Sequence, residues 1–231
     1  MTARALAKRR VLVGAGSLAD ARAALALAGP LSELMPADLG GVFLEEELFA
    51  ELDEGPYSAF VSVWGTVQAS PARLRAVLES EGKAFRKALG ELTGAAEADL
   101  SFRRHRGEHV ASLCTLARGW DIVVLGYAAP RPARLVIIQI GAPGPSAGDG
   151  PGLADILAKR MGAQILTAPD GDEATLLRWL NRTRAMAVVL DMRHGPIRDQ
   201  AQLRRLVDAA RCPVLITGAD TAQGTGESPA S

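Results

Sequence analysis

The sequence predicts an α/β fold on a mainly parallel sheet with helices on both faces. Two observations lead there. Short runs rich in Val, Ile and Leu, among them "RVLVGA", "DIVVLGY" and "PVLITG", alternate with longer segments whose apolar residues recur at helical spacing. That alternation marks strand–helix–strand units, whose parallel strands need a crossover between them. The second observation is length: 231 residues suffice to bury a substantial core in one large domain or two small ones.

Each element follows from local pattern. "RVLVGA" (10–15) is a strand bounded by Gly, and "SLADARAALALAGPLSELM" is a helix with Ser17 placed to cap it. Gly29-Pro30 ends or bends that helix. A second strand centres on 42–44. Residues 45–71 read as an irregular excursion, acidic at first, with one helical turn. "ARLRAVLESEGKAFRKALGELTGAA" is an amphipathic helix with Leu74, Val77, Leu78, Phe85, Leu89 and Leu92 along one stripe. "DLSFRRHRG" gives a third strand, its basic RRHR (103–106) suiting a wet edge, and "EHVASLCTLARGW" gives a helix packed through Val110, Leu113 and Leu116. "DIVVLGY" is the fourth strand. Only AAPRPA (128–133) separates it from "RLVIIQIG", although a parallel crossover takes about a dozen residues. After that link the pattern restarts: strand, helix (LADILAKRM), strand (AQILTAP), helix (DEATLLRWLNRTR), strand (AMAVVLDM), helix (IRDQAQLRRLVDAARC) and a last strand, PVLITG. The tail 219–231 is small and polar and reads as disordered. AAPRPA is therefore read as a seam between two similar units, 1–130 and 131–218.

Composition narrows the partners. Lys plus Arg and Asp plus Glu each number 26, and aromatics make up only 4% of residues. With neither net charge nor stacking platforms, nucleic acid is not an expected partner. Nor is membrane insertion, because no apolar run reaches the roughly 18 residues of a span. Cys114 and Cys212 fit no metal or redox spacing and read as buried thiols. The expected location is the reducing cytoplasm.

The pieces "RVLVGAGSLADARAALALAGPLS…ADLGGVFLEE", "RRHRGEHVASLCTLARGWDIVVLGY" and "LRRLVDAARCPVLITG" together resemble the universal stress protein family, over most of 10–127 and more loosely over 134–218. The resemblance implies a Rossmann-like, adenine nucleotide alpha hydrolase-like sheet built from two incomplete units in tandem. The first unit lacks its last helix and fifth strand, the second is shortened in its middle, and each half is the nearest cover for strand edges left bare in the other.

Many members of that family bind ATP through an acidic residue after the first strand and a Gly-rich loop, G-x-x-G then G-[ST], after the fourth. Here Gly16 stands at the acidic position, and Tyr127, Ala128, Ala129 and Pro130 follow Gly126. In the second half Gly141 and Gly144 spell G-x-x-G, but after the wrong strand and with Ala at position 154. Loss of ATP binding is thus the expectation, with no cofactor required. Should ATP, AMP or a small anion bind after all, Gly14, Gly16, Ser17 and Gly126 line the strand-end crevice that would take it.

"GAGSLA" (14–19) also matches a dinucleotide fingerprint, with Glu45 and Glu46 near the place of its acidic residue, although a tight βα turn is the commoner reason for such glycines. His105 and His109, beside Glu108, invite a metal reading, but Gly107 parts them and no third ligand is evident. His194, Arg193 and Arg198 could attract an anion, yet a solvated loop explains them as well. Asp121 and Asp191 sit at strand ends without an evident partner. No nucleophile elbow is present, so no catalytic residue is assigned. The expectation is a non-enzymatic regulatory or interaction module with a protein partner or as a homodimer. Phe49, Tyr57, Phe60 and Trp64, in the 45–64 part of the excursion, suit a partner surface.

Overall fold

The computed structural model describes residues 8–45, 59–62, 65–68, 71–94, 100–129, 134–141 and 152–219. The first half contributes β1 (Arg9–Ala15), α1 (Leu18–Leu34), β2 (Ala37–Glu45), β3 (Ala59–Ser62), β4 (Gly65–Gln68), α2 (Pro71–Thr93), β5 (Ser101–Arg106), α3 (His109–Leu116) and β6 (Ile122–Leu125). The second half contributes β7 (Val136–Ile140), α4 (Leu153–Met161), β8 (Gln164–Thr167), α5 (Glu173–Arg182), β9 (Ala187–Asp191), α6 (Gln200–Ala210) and β10 (Val214–Thr217).

Eight strands form one sheet in the order β5-β2-β1-β6-β10-β9-β7-β8. Every neighbouring pair is parallel except β6 with β10. The fold is a mostly parallel, Rossmann-like α/β sheet. The strands of 1–130 and those of 131–218 stay together as two four-strand blocks within that one sheet. With no helix or strand among the described residues between β6 and β7, the far edge of β6 is taken up by β10, running the opposite way. Val214 pairs with Leu125 and Thr217 with Ile122.

The same topology accounts for the short link. β6 and β7 are not a hairpin, because β10 and β9 lie between them. The chain crosses three strand spacings, about 14 Å, with ten residues, 126–135, whose reach when extended is about 33 Å.

Alternating side chains of the central strands feed two cores. On one face Val11, Val13, Phe43, Val124 and Leu215 pack beneath α1, α2 and α4, with Leu27, Leu31, Phe85, Leu89 and Leu157 buried there. On the other face Leu12, Val42, Leu44, Val123 and Leu190 pack beneath α3, α5 and α6, through Leu113, Leu176, Leu180, Leu203 and Leu206. Both layers are mainly aliphatic, Phe43 and Phe85 being the buried aromatic rings of the first.

Three local expectations change. Of the two readings of Gly29-Pro30, a helix end or a bend, the end does not occur: α1 runs on to Leu34, and Leu31, just past the proline, is wholly buried; packing there offsets the backbone bond that proline cannot make. In α2, Val77 and Leu92 of the apolar stripe are exposed, while Phe85 and Leu89 are buried. Where an irregular stretch was expected, the described part of the excursion contains an antiparallel strand pair, β3 with β4. Phe49, Tyr57 and Trp64 lie outside the described residues, as does nearly all of the tail.

Candidate functional site: the strand-end crevice of β1 and β6

α1 leaves the carboxyl end of β1 on one face of the sheet and α3 enters β6 on the other, so their adjacent ends form the crevice at which open α/β sheets take ligands. Gly14, Gly16, Ser17 and Gly126 all meet here.

Their environments are filled by the protein itself. A Cβ on Gly14 would stand 2.6 Å from Cδ1 of Leu113, and one on Gly16 would stand 2.5 Å from Cε1 of the His109 ring. A Cβ on Gly126 would lie 2.7 Å from the carbonyl carbon of Asp20. None of the three has positive φ. What glycine supplies at these places is close approach, of α3 beneath β1 and of the post-β6 segment beside α1, and not a left-handed turn.

Hydrogen bonds tie the segments together. The amide of Gly126 donates to the carbonyl of Gly14 at 2.8 Å. Ser17 caps α1, its Oγ accepting from the amide of Asp20 at 3.1 Å and donating to Asp20 Oδ2 at 2.7 Å. The other oxygen of Asp20, Oδ1, accepts from the amide of Ala128 at 2.6 Å. From α2, Glu81 Oε2 lies 3.4 Å from the amide of Leu18. Two carboxylates and a hydroxyl thus stand at the positive end of the α1 dipole, where a phosphate would have to sit.

The dinucleotide pattern meets a similar obstacle. Glu45 is buried at the end of β2, and its carboxylate is held by Arg104 (Nε–Oε1, 2.6 Å) and Arg106 (Nε–Oε2, 3.5 Å) of β5. An acidic residue committed to two arginines is not offered to a ribose. Glu46 lies outside the described residues.

His105 and His109 are on different elements, β5 and α3, and Glu108 between them caps α3 by accepting from the amides of Val110 (3.1 Å) and Ala111 (2.6 Å). Among the described residues no group of three or more His, Cys, Asp or Glu could hold a metal ion.

Both strand-end carboxylates have partners that sequence reasoning missed. Asp121 accepts from the amide of Arg10 at 2.8 Å. Asp191 accepts from the amide of Arg193 at 2.9 Å and meets His194 Nδ1 at 3.0 Å. Burial pushes the Asp191 carboxyl up, but the His194 hydrogen bond and the Arg193 amide together outweigh it, leaving the group below the usual carboxylate range. Arg198 donates to the carbonyl of Arg193 at 3.1 Å, so it braces this loop. Gly141, with φ of 102°, lets the loop approach: a Cβ there would lie 3.1 Å from the carbonyl oxygen of Asp191.

Neither cysteine is a ready nucleophile. Burial pushes the Cys114 thiol up to about 11, helped by the charge of Glu108, and the Cys212 thiol up to about 12. No described helix is long and apolar enough to cross a membrane. No protein-family model matches the chain, and no curated protein matches it.

Proposed function

We propose that this chain is a universal stress protein-like, non-catalytic module that has lost ATP binding and acts by contact with another protein or with a second copy of itself. The observation that carries the reading is the amino end of α1, where Ser17, Asp20 and Glu81 stand in place of an anion. A phosphate entering there would meet two negative charges and would have to displace the Asp20–Ala128 bond. The contacts of Leu113 and His109 against Gly14 and Gly16 support the same conclusion, since the glycines' free space is already used. The acidic and aromatic residues of 45–64 remain the proposed partner surface.

A thermal-shift series with ATP, AMP, cyclic nucleotides and NAD at millimolar concentration tests this reading, because a ligand specific to the folded state raises its melting temperature by mass action. No shift is expected. A nucleotide that raises the melting temperature by several degrees, or one that copurifies at one per chain in native mass spectrometry, overturns the proposal in favour of a nucleotide-binding regulator.

A further inference from the structure

The sheet ends in two outer strands of opposite character. β5 carries Arg103, Arg104 and Arg106, so a second copy laid against it would set cations against cations. β8, Gln164-Ile-Leu-Thr167, carries no charge, and Leu166 is 39% exposed. Among the described residues no strand pairs its outer side.

We infer that β8 pairs with β8 of a second copy of this chain, antiparallel about a two-fold axis, joining two eight-stranded sheets edge to edge. The backbone limits the register to one outward residue opposite another, and the exposed Leu166 selects the one centred on itself. The amides of Gln164 and Ala168 donate inward to Leu135 (2.8 Å) and Gln139 (2.9 Å), so by the alternation of a strand Ile165 and Thr167 direct their amides and carbonyls outward. Antiparallel pairing couples outward residue to outward residue. Ile165 of each copy then exchanges hydrogen bonds with Thr167 of the other, and Leu166 faces its own counterpart across the axis. Such a directly opposed pair brings Cβ atoms to about 4.5–5.5 Å, covering the exposed leucine.

Charge favours a second copy as the occupant. Lys159, in the last turn of α4, precedes β8, its neighbour Arg160 being held by Glu33 at 2.6 Å, and Asp170 follows the strand, Asp172 serving as the cap of α5. Reversing one strand against the other carries the basic flank of each copy toward the acidic flank of its mate, twice over, as a two-fold interface requires. Pro169, with no N–H to donate, closes the ladder after Ala168.

The inference specifies the self-association part of the proposed function but rests on edge geometry alone. A chain that is monomeric and still ignores nucleotides would sink the edge and leave that reading standing. Sedimentation velocity at high micromolar concentration is expected to give the mass of two chains for the native protein and of one chain for Leu166→Lys, which sets two cations on the axis. Thr167→Pro, which removes only an outward amide, is expected to do the same, with circular dichroism confirming that both variants are folded. Leu166→Cys is expected to yield a covalent dimer on mild oxidation. A native protein with the mass of one chain, a Leu166→Lys protein that stays dimeric, or a Leu166→Cys protein that does not cross-link overturns the inference.

Discussion

Gly126→Ala is the sharpest probe of the closed crevice. Its φ is not positive, so alanine is allowed there by the backbone and only the neighbourhood decides the outcome. The added Cβ would sit within contact of the Asp20 carbonyl group, 2.7 Å from its carbon, and that group is main chain inside α1. Nothing flexible can yield, so the post-β6 segment or the first turn of α1 must shift. Overpacking of this kind costs about 1–3 kcal/mol. The shift also strains the Gly126–Gly14 and Ala128–Asp20 hydrogen bonds, each worth about 1 kcal/mol. A net loss of about 3 kcal/mol lowers Tm by about 6–12 °C in a chain of this size. Thermal and urea unfolding measure it, with Gly162→Ala as reference: Gly162 has φ of 62° and open space around it, so alanine there costs about 1 kcal/mol. A Gly126→Ala protein melting within a degree of the native one would refute the reasoning, because it would mean that the crevice has room to spare.

Other outcomes follow from single contacts. Ser17→Ala removes the cap of α1 and should cost about 1 kcal/mol, read by urea unfolding. Leu157, wholly buried on the sheet-facing side of α4, should cost about 2–5 kcal/mol as alanine, measured the same way. Asp191 is depressed in the folded chain, so its contribution is complete above the unfolded carboxylate range and fades as pH falls through the folded value. In His194→Ala the burial that raises this carboxyl is less opposed; an NMR titration should find Asp191 ionising at higher pH, and an unmoved midpoint would show that the pairing is idle. Cys114 and Cys212 should ignore a thiol reagent at pH 8 until denaturant is added, and prompt labelling of the native protein would contradict their burial.

Much of this was legible in the chain. Strand–helix alternation depends on periodicity within a dozen residues, and β1, α1, β6, α6 and β10 all carry it plainly. The pairing of β3 with β4 was missed because Val63-Trp64, between the two strands, lacks the Asn-Gly or Asp-Gly chemistry that announces a short hairpin. In the site, the four residues Gly14, Gly16, Ser17 and Gly126 do meet, as strand order alone requires. Their occupants could not be read: Glu81 reaches Leu18 across 63 positions, and Leu113 and His109 arrive from a helix on the other face. The ion pair of Glu45 with Arg104 likewise spans 59 positions and has no local signature.

The reversed contact between β6 and β10 has a geometric corollary for any partner. Strand carboxyl ends of residues 1–130 open onto one rim of the molecule, and those of 131–218 open onto the opposite rim. Loops around Ser17 and around His194 therefore point away from one another, so a small body docked at one is out of reach of the other. Whatever engages both must wrap the protein or arrive as two separate guests.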